Sequence, residues 1–292
     1  MYWLKIYYTS VRGGTLMKTA KDRLIIIGGA EDKKGSKEIL REVCDKIDKL
    51  KDELVIATVA TETPKEAGEK YKKIFKDLGV ANIKILNVTT REEAHGQEAI
   101  NMINKSSLVF FTGGDQLRIT SILGGTPLHK ELINSYERGV IFVGTSAGAS
   151  VMSTTMIVNG PDEESPRKCT LKMAPGLGLI SKVIIDQHFA QRGRIGRLLV
   201  GVATNPEILG IGIDEDTSII VSSENKFRVK GSGAVYVIDG RQLSYSNVSE
   251  QCQNELLSLY DVKMHVLKEG DCFDLDIGRP LEEETFDENT QL

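Results

Sequence analysis

The chain has 292 residues, a formal net charge of −4, 40% hydrophobic and 27% charged residues, four cysteines and one tryptophan. At roughly 150 residues per domain, that length fits two domains or one large α/β domain, and either buries a core without disulfide or metal staples. The mildly acidic balance excludes the basic field that nucleic acid or an anionic membrane needs, and no run reaches the ~18 apolar residues of a transmembrane helix.

Residues 1–22 form a leader that carries Trp3 and an internal Met17 but lacks the apolar core and small-residue cleavage site of a signal peptide. It reads as an extra strand or, preferably, as sequence upstream of a start at Met17, and no function is placed on it. From Leu24 onward, short β-branched or apolar runs predict buried strands at 24–27, 54–59, 83–88, 108–111 and 140–143. Helices are predicted between them at 36–50, 64–78 and 92–104, with two shorter ones between Gly114 and Tyr136. In 36–50 the residues Ile39, Leu40, Val43, Ile47 and Leu50 share one helical face, and Thr63 and Pro64 read as a cap and a first turn. This alternation predicts a mostly parallel sheet with helices on both faces. A Gly-, Pro- and charge-rich loop at 159–178 interrupts it, followed by a strand at 183–186, a helix at 193–204 and a strand at 208–213. Residues 218–243 read as a small antiparallel β-rich flank. Residues 277–292 read as an acidic, solvated tail, which leaves 23–276 as a single α/β domain. Cys44, Cys169, Cys252 and Cys272 are scattered, with no metal-ligand spacing, and read as reduced cysteines of a cytoplasmic protein.

The strand at 140–143 runs into Gly144-Thr145-Ser146-Ala147-Gly148, a G-x-S-x-G elbow between a strand and a small-residue helix start. Such a turn exposes the Ser146 hydroxyl and places the Ala147 N–H where oxyanion charge develops. Thr112-Gly113-Gly114-Asp115-Gln116 ends another strand; its glycines would offer a second oxyanion N–H, and Gln116 could orient a substrate. Gly28-Gly29-Ala30-Glu31 is too short for a dinucleotide fingerprint, and no P-loop is present.

A serine nucleophile needs a base. His95, His129 and His265 lie in helical or late C-terminal surroundings, whereas His188 closes the buried strand that contains Asp186 and Gln187. The orienting carboxylate should come from another strand end, where Asp214, Glu215 and Asp216 are equally spaced candidates and Asp186 stays open as well. Arg192, Arg194 and Arg197 follow His188 within six residues. Helix starts disfavour cations, so this cluster calls for an anionic partner such as a substrate carboxylate.

The stretches FFTGGDQ, GTSAGAS, DQHFAQRGRIGR and GIDEDTS, in this order, resemble the cyanophycinases, serine peptidases of the family that also holds α-aspartyl dipeptidase E. The resemblance covers about Leu24 to Leu243. It implies a class I glutamine-amidotransferase-like (flavodoxin-like) α/β sandwich with Ser in place of the usual Cys. The implied activity is that of a serine-type exopeptidase, which hydrolyses cyanophycin, a poly-aspartate with arginine on each side-chain carboxylate, to β-Asp-Arg dipeptides. By the same resemblance Ser146 is the nucleophile, His188 the base and Glu215 the orienting acid, with Gly114 and Ala147 as the oxyanion hole. Gln116, Asp186, Gln187, Arg192, Arg194 and Arg197 match the substrate pocket; no metal or cofactor is implied, and a homodimer is. A polymer carrying both charges has no net charge, so the global −4 does not speak against it. The alternatives are a dipeptidase for short aspartyl peptides and a catalytically silent ligand-binding module.

Overall fold

The computed structural model describes residues 21–162, 164–250 and 254–281. Most of the leader, Cys252 and the acidic run from 282 lie outside the described residues. Five strands, β1 (Asp22–Ile27), β2 (Glu53–Ala57), β3 (Asn82–Leu86), β4 (Leu108–Phe111) and β5 (Ile141–Thr145), pair in parallel in the order β1-β5-β4-β2-β3. Their crossovers carry α1 (Glu38–Cys44), α2 (Pro64–Asp77), α3 (Gln97–Lys105), α4 (Gln116–Leu123) and α5 (Pro127–Arg138), and β5 leads into the short α6 (Ala147–Ser150). The later strands are β6 (Thr155–Asn159), β7 (Lys172–Pro175), β8 (Val183–Gln187), β9 (Leu209–Ile213), β10 (Thr217–Ser222), β11 (Lys226–Gly231) and β12 (Val235–Asp239). They are followed by β13 (Tyr245–Ser246), β14 (Leu259–Tyr260), β15 (Lys263–Leu267), β16 (Cys272–Asp274) and β17 (Arg279–Leu281), with α7 (Ile195–Thr204) between β8 and β9.

Side chains alternate across the parallel sheet, as strand geometry requires. Ile25, Ile27, Leu54, Ile56, Leu108 and Phe110 meet α1 and α2 on one face. Leu24, Ile26, Val55, Val109 and Phe111 face the other way, toward α3, α4 and α5. That second face also receives a sheet of its own, ordered β15-β12-β9-β8, whose outer side is closed by Leu198 and Val202 of α7.

Several boundaries differ from expectation for identifiable reasons. Helix α1 stops at Cys44, and where it was expected to continue Asp48 accepts the amides of Leu50 and Lys51 in an Asx turn. Leu50, expected on the buried face, is 73% exposed. The helix expected at 92–104 breaks at Gly96, which adopts an extended conformation between a 3₁₀ turn (Glu93–His95) and α3. Thr63 precedes α2, yet its side chain makes no cap bond. The loop at 159–178 belongs to an antiparallel ribbon, β6 with β7. The antiparallel flank is divided: β10 and β11 extend the main sheet beyond β1, while β12 joins the second sheet. The tail contributes β17, an edge strand paired with β16.

Phe110 is fully buried, its ring centroid 4.8 Å from that of Tyr71 and 5.2 Å from that of Phe75. Phe110→Ala should therefore cost about 3–5 kcal/mol in a denaturant titration.

Candidate active site

The segment that follows β1 organises the site. Three consecutive carbonyls, those of Ile27, Gly28 and Gly29, accept the amides of Ser146 (3.0 Å), His188 (2.8 Å) and Asp216 (2.9 Å). The ends of β5, β8 and β9 are thereby tied to one short stretch of backbone. Ser146 sits at φ 55, ψ −115, a conformation that strains any residue with a Cβ. The flanking glycines make it possible: a Cβ on Gly144 would lie 2.1 Å from the Gly148 carbonyl oxygen, and one on Gly148 would lie 2.5 Å from that of Phe111. His188 is also at positive φ (48°), and its imidazole fills the space beside Gly29, where a Cβ would stand 2.4 Å from Nε2.

The consequence is a line of hydrogen bonds. Ser146 Oγ lies 3.0 Å from His188 Nε2, and His188 Nδ1 lies 2.6 Å from Glu215 Oε1. With Nδ1–H donating to the carboxylate, Nε2 keeps its lone pair toward the serine hydroxyl, the tautomer a general base requires. Burial pushes the His188 imidazole below its ordinary value of 6.5; nearby Arg192 and Arg194 push the same way, and Glu215 pulls against them. The ring is thus neutral, and able to accept a proton, at neutral pH. The neighbouring acids point elsewhere. Asp214 accepts the amides of Ala190 and Ala234, Asp216 accepts that of Asp32, and Asp186 is bound to Arg197. Of the other histidines, His95 bonds the Arg91 carbonyl, His129 the Leu177 carbonyl, and His265 packs edge-on against Phe273.

The N–H groups of Gly114 and Ala147 have no acceptor among the described residues. Gly114 holds φ +148, and a Cβ there would strike the Ala60 carbonyl at 2.2 Å, while Gly113 abuts Ser146. Gln187 Oε1 stands 3.4 Å from Ser146 Oγ. The Gln116 amide nitrogen donates to the carbonyls of Ile157 (3.0 Å) and Val158 (2.9 Å), pinning α4 to β6.

The three arginines do not form an open cluster. Arg197 makes a buried two-point contact with Asp186 and reaches Asp162 at 3.1 Å; Arg194 bonds Asp162 at 2.9 Å and the Gln187 carbonyl at 2.6 Å. These guanidiniums neutralise carboxylates of the protein itself, because unpaired charge so deeply buried would be costly. Arg192 is exposed and has no partner among the described residues.

Two features escaped the sequence reading. The Gly28-Gly29 doublet is where the His188 imidazole is seated. Glu31, with a fully buried side chain, accepts from Thr145 Oγ1 (2.6 Å), the residue before Ser146, and from the Tyr71 hydroxyl, and it pairs with Lys33 at 2.9 Å. A glycine doublet at a strand's C-terminal end, followed by an acid, was the available signal.

Gly29→Ala should lower kcat/KM about 100-fold or more by displacing the imidazole, with a smaller effect on thermal stability. The acid limb of kcat/KM should fall below pH 6.5, where protonated His188 cannot accept the serine proton. Arg192→Gln removes one cause of the lowered value, so that limb should move to higher pH; an unmoved or lower limb contradicts the assignment.

Comparison with known proteins agrees with this geometry. The model of Peptidase family S51 matches residues 24–229. A cyanophycinase of Synechococcus elongatus is 38% identical over 256 residues, covering 87% of this chain and 80% of that protein. A cyanophycinase of Trichormus variabilis is 39% identical over 260 residues, covering 88% and 87%. Among solved structures, a peptidase from an acI-B1 Actinobacterium shares the fold with a TM-score of 0.57 at 22% identity, over 84% of this chain and 97% of that one. The elbow, the relay behind it and the matched span converge: the chain belongs to Peptidase family S51 and is a serine peptidase.

Proposed function

We propose that the chain hydrolyses cyanophycin as a serine-type exopeptidase, releasing β-Asp-Arg dipeptides through an acyl-enzyme on Ser146. The observation that carries this is the unbroken line from Ser146 Oγ through His188 to Glu215, at 3.0 and 2.6 Å, in a chain similar to cyanophycinases over most of its length. His188 takes the serine proton as Oγ attacks the scissile carbonyl. Glu215 holds the imidazole in the right tautomer and stabilises the imidazolium, and the N–H groups of Gly114 and Ala147 receive the oxyanion. His188 then returns the proton to the departing amine, and water, activated by the same base, releases the acyl group.

Each repeating unit of cyanophycin carries an arginine joined through its amino group, so its carboxylate and guanidinium remain free. Arg192, exposed beside the relay, is the guanidinium available to such a carboxylate. Arg194, Arg197, Asp186, Gln187 and Gln116 shape the wall against which the substrate lies. This reading takes 23–276 as one hydrolytic domain with a class I glutamine-amidotransferase-like fold, Ser146 standing where related amidotransferases keep Cys. The five parallel strands and the elbow at the end of β5 support it. The resemblance extends it to a cytoplasmic homodimer.

Incubation with purified cyanophycin, followed by product identification, should yield β-Asp-Arg dipeptides. Ser146→Ala should lose turnover by about 10⁴–10⁶-fold with its fold intact. An untouched polymer alongside cleavage of short aspartyl peptides would assign a dipeptidase instead, and full activity in Ser146→Ala would exclude the serine mechanism.

A further inference from the structure

A cleft of about 340 Å³ opens beside Ser146, between the segment after β1 and helix α2. Its size falls within the ~300–1,000 Å³ of ligand pockets. Lys33, Glu66, Lys70, Tyr71 and Gly113 line it together with the nucleophile, and neither His188 nor any of the three arginines does. It is therefore distinct from the arginine wall on β8 and α7.

Its charges are arranged unequally. Lys33 is held in place: its Nζ lies 2.9 Å from Glu31 Oε1, 3.2 Å from the Glu31 carbonyl oxygen and 5.5 Å from the centroid of the Tyr71 ring. An ammonium has three donors, and these contacts engage two of them. The side chain is 21% exposed, so the remaining donor is open to a ligand in the cleft. Glu66 and Lys70, four apart on α2, are exposed and form no ion pair with each other or with another described residue. The cleft thus offers one cation positioned by Glu31, together with a second, movable cation and one anion that have no ion-pair partner among the described residues. Arg194 and Arg197, by contrast, are satisfied internally.

We infer that this cleft is a carboxylate subsite for the arginine-bearing unit of the substrate, with Lys33 gripping the carboxylate, Lys70 assisting and Glu66 receiving the guanidinium. The inference rests on the proposed action on Asp-Arg units. It adds a specificity determinant on the side of the nucleophile away from the arginines. Because Glu31 also bonds Thr145, the ion that binds the carboxylate and the turn that holds Ser146 share one buried anchor.

The test uses the full chain carrying Ser146→Ala, titrated calorimetrically with a β-aspartyl-arginine peptide and with the same peptide amidated at the arginine carboxyl. With Lys33 present, the free carboxylate should bind about tenfold more tightly, or about 1.4 kcal/mol. Lys33→Met should abolish that preference and Lys33→Arg should keep it. Since Lys33 neutralises Glu31, the double variant Glu31→Gln/Lys33→Met, which leaves no lone buried charge, should also show no preference. In the active enzyme Lys33→Met should raise KM about tenfold with kcat changed less than threefold. A preference that survives in Lys33→Met, or is absent with Lys33 in place, overturns the inference. Hydrolysis of the polymer by the unaltered enzyme is scored separately. Polymer cleaved with a Lys33-independent preference removes the subsite alone; polymer untouched with a Lys33-dependent preference removes only the polymer as substrate.

Discussion

Three successive carbonyls at the C-terminal end of β1 hold this site together. Ile27, Gly28 and Gly29 bind, in turn, the amides of Ser146, of His188 and of Asp216, the residue after Glu215. Those residues come from β5 in the main sheet and from the ends of β8 and β9 in the second, so separately built sheets are brought into a common register at one place. The arrangement demands glycine. At Gly28 a Cβ would lie 2.0 Å from the Asp214 carbonyl oxygen, and at Gly29 it would occupy the position of the imidazole. Removing side-chain volume from the connector lets backbone and ring approach closely enough for the relay to form.

The local strain follows from that geometry. Ala30, Ser146, His188 and Asp216 all hold positive φ within this small region, each at a cost on the order of 1–3 kcal/mol. The strands behind them are fully buried, with Ile25, Ile26, Ile27, Phe142 and Val143 inaccessible to solvent. Packing of those strands on both faces offsets the strain and prevents the turns from relaxing. A serine hydroxyl aimed at an imidazole is thus a product of the core as much as of the loop.

How far the site was legible in the sequence depends on what each signal encodes. The parallel strands were legible because burial on both faces forces continuous β-branched runs. The strained turn at Ser146 and the strand-end place of His188 were legible because a G-x-S-x-G and a strand-terminal histidine constrain backbone and position. Which carboxylate meets His188 was not readable from spacing: Asp214, Glu215 and Asp216 are adjacent, and only tertiary contacts turn Asp214 toward the amides of Ala190 and Ala234 and Asp216 toward that of Asp32. The second sheet was hidden for a related reason, since β8 and β9 read as buried strands whichever sheet they join. Arg194 and Arg197 differ from the sequence pattern in the opposite direction. Their partners, Asp162 and Asp186, lie 32 to 35 positions or 8 to 11 positions away, and no local pattern announces that the charges cancel.

That cancellation bears on what the site can recognise. A ligand with no net charge gains nothing from a uniform field, so the chain's overall −4 is a poor guide to it. Recognition of paired opposite charges requires groups of both signs, close together, that the protein has left without partners. In the arginine wall the buried pairs are closed: Arg197 holds the Asp186 carboxylate and Arg194 the Gln187 carbonyl. On the two flanks of Ser146 the open groups are Arg192 on one side and Lys70 and Glu66 on the other, with Lys33 half-committed to Glu31. A buried charge must be satisfied by the protein, whereas an exposed one can wait for a ligand at little cost. Exposure, rather than number, therefore separates the charges that the protein uses internally from those it leaves open to a ligand.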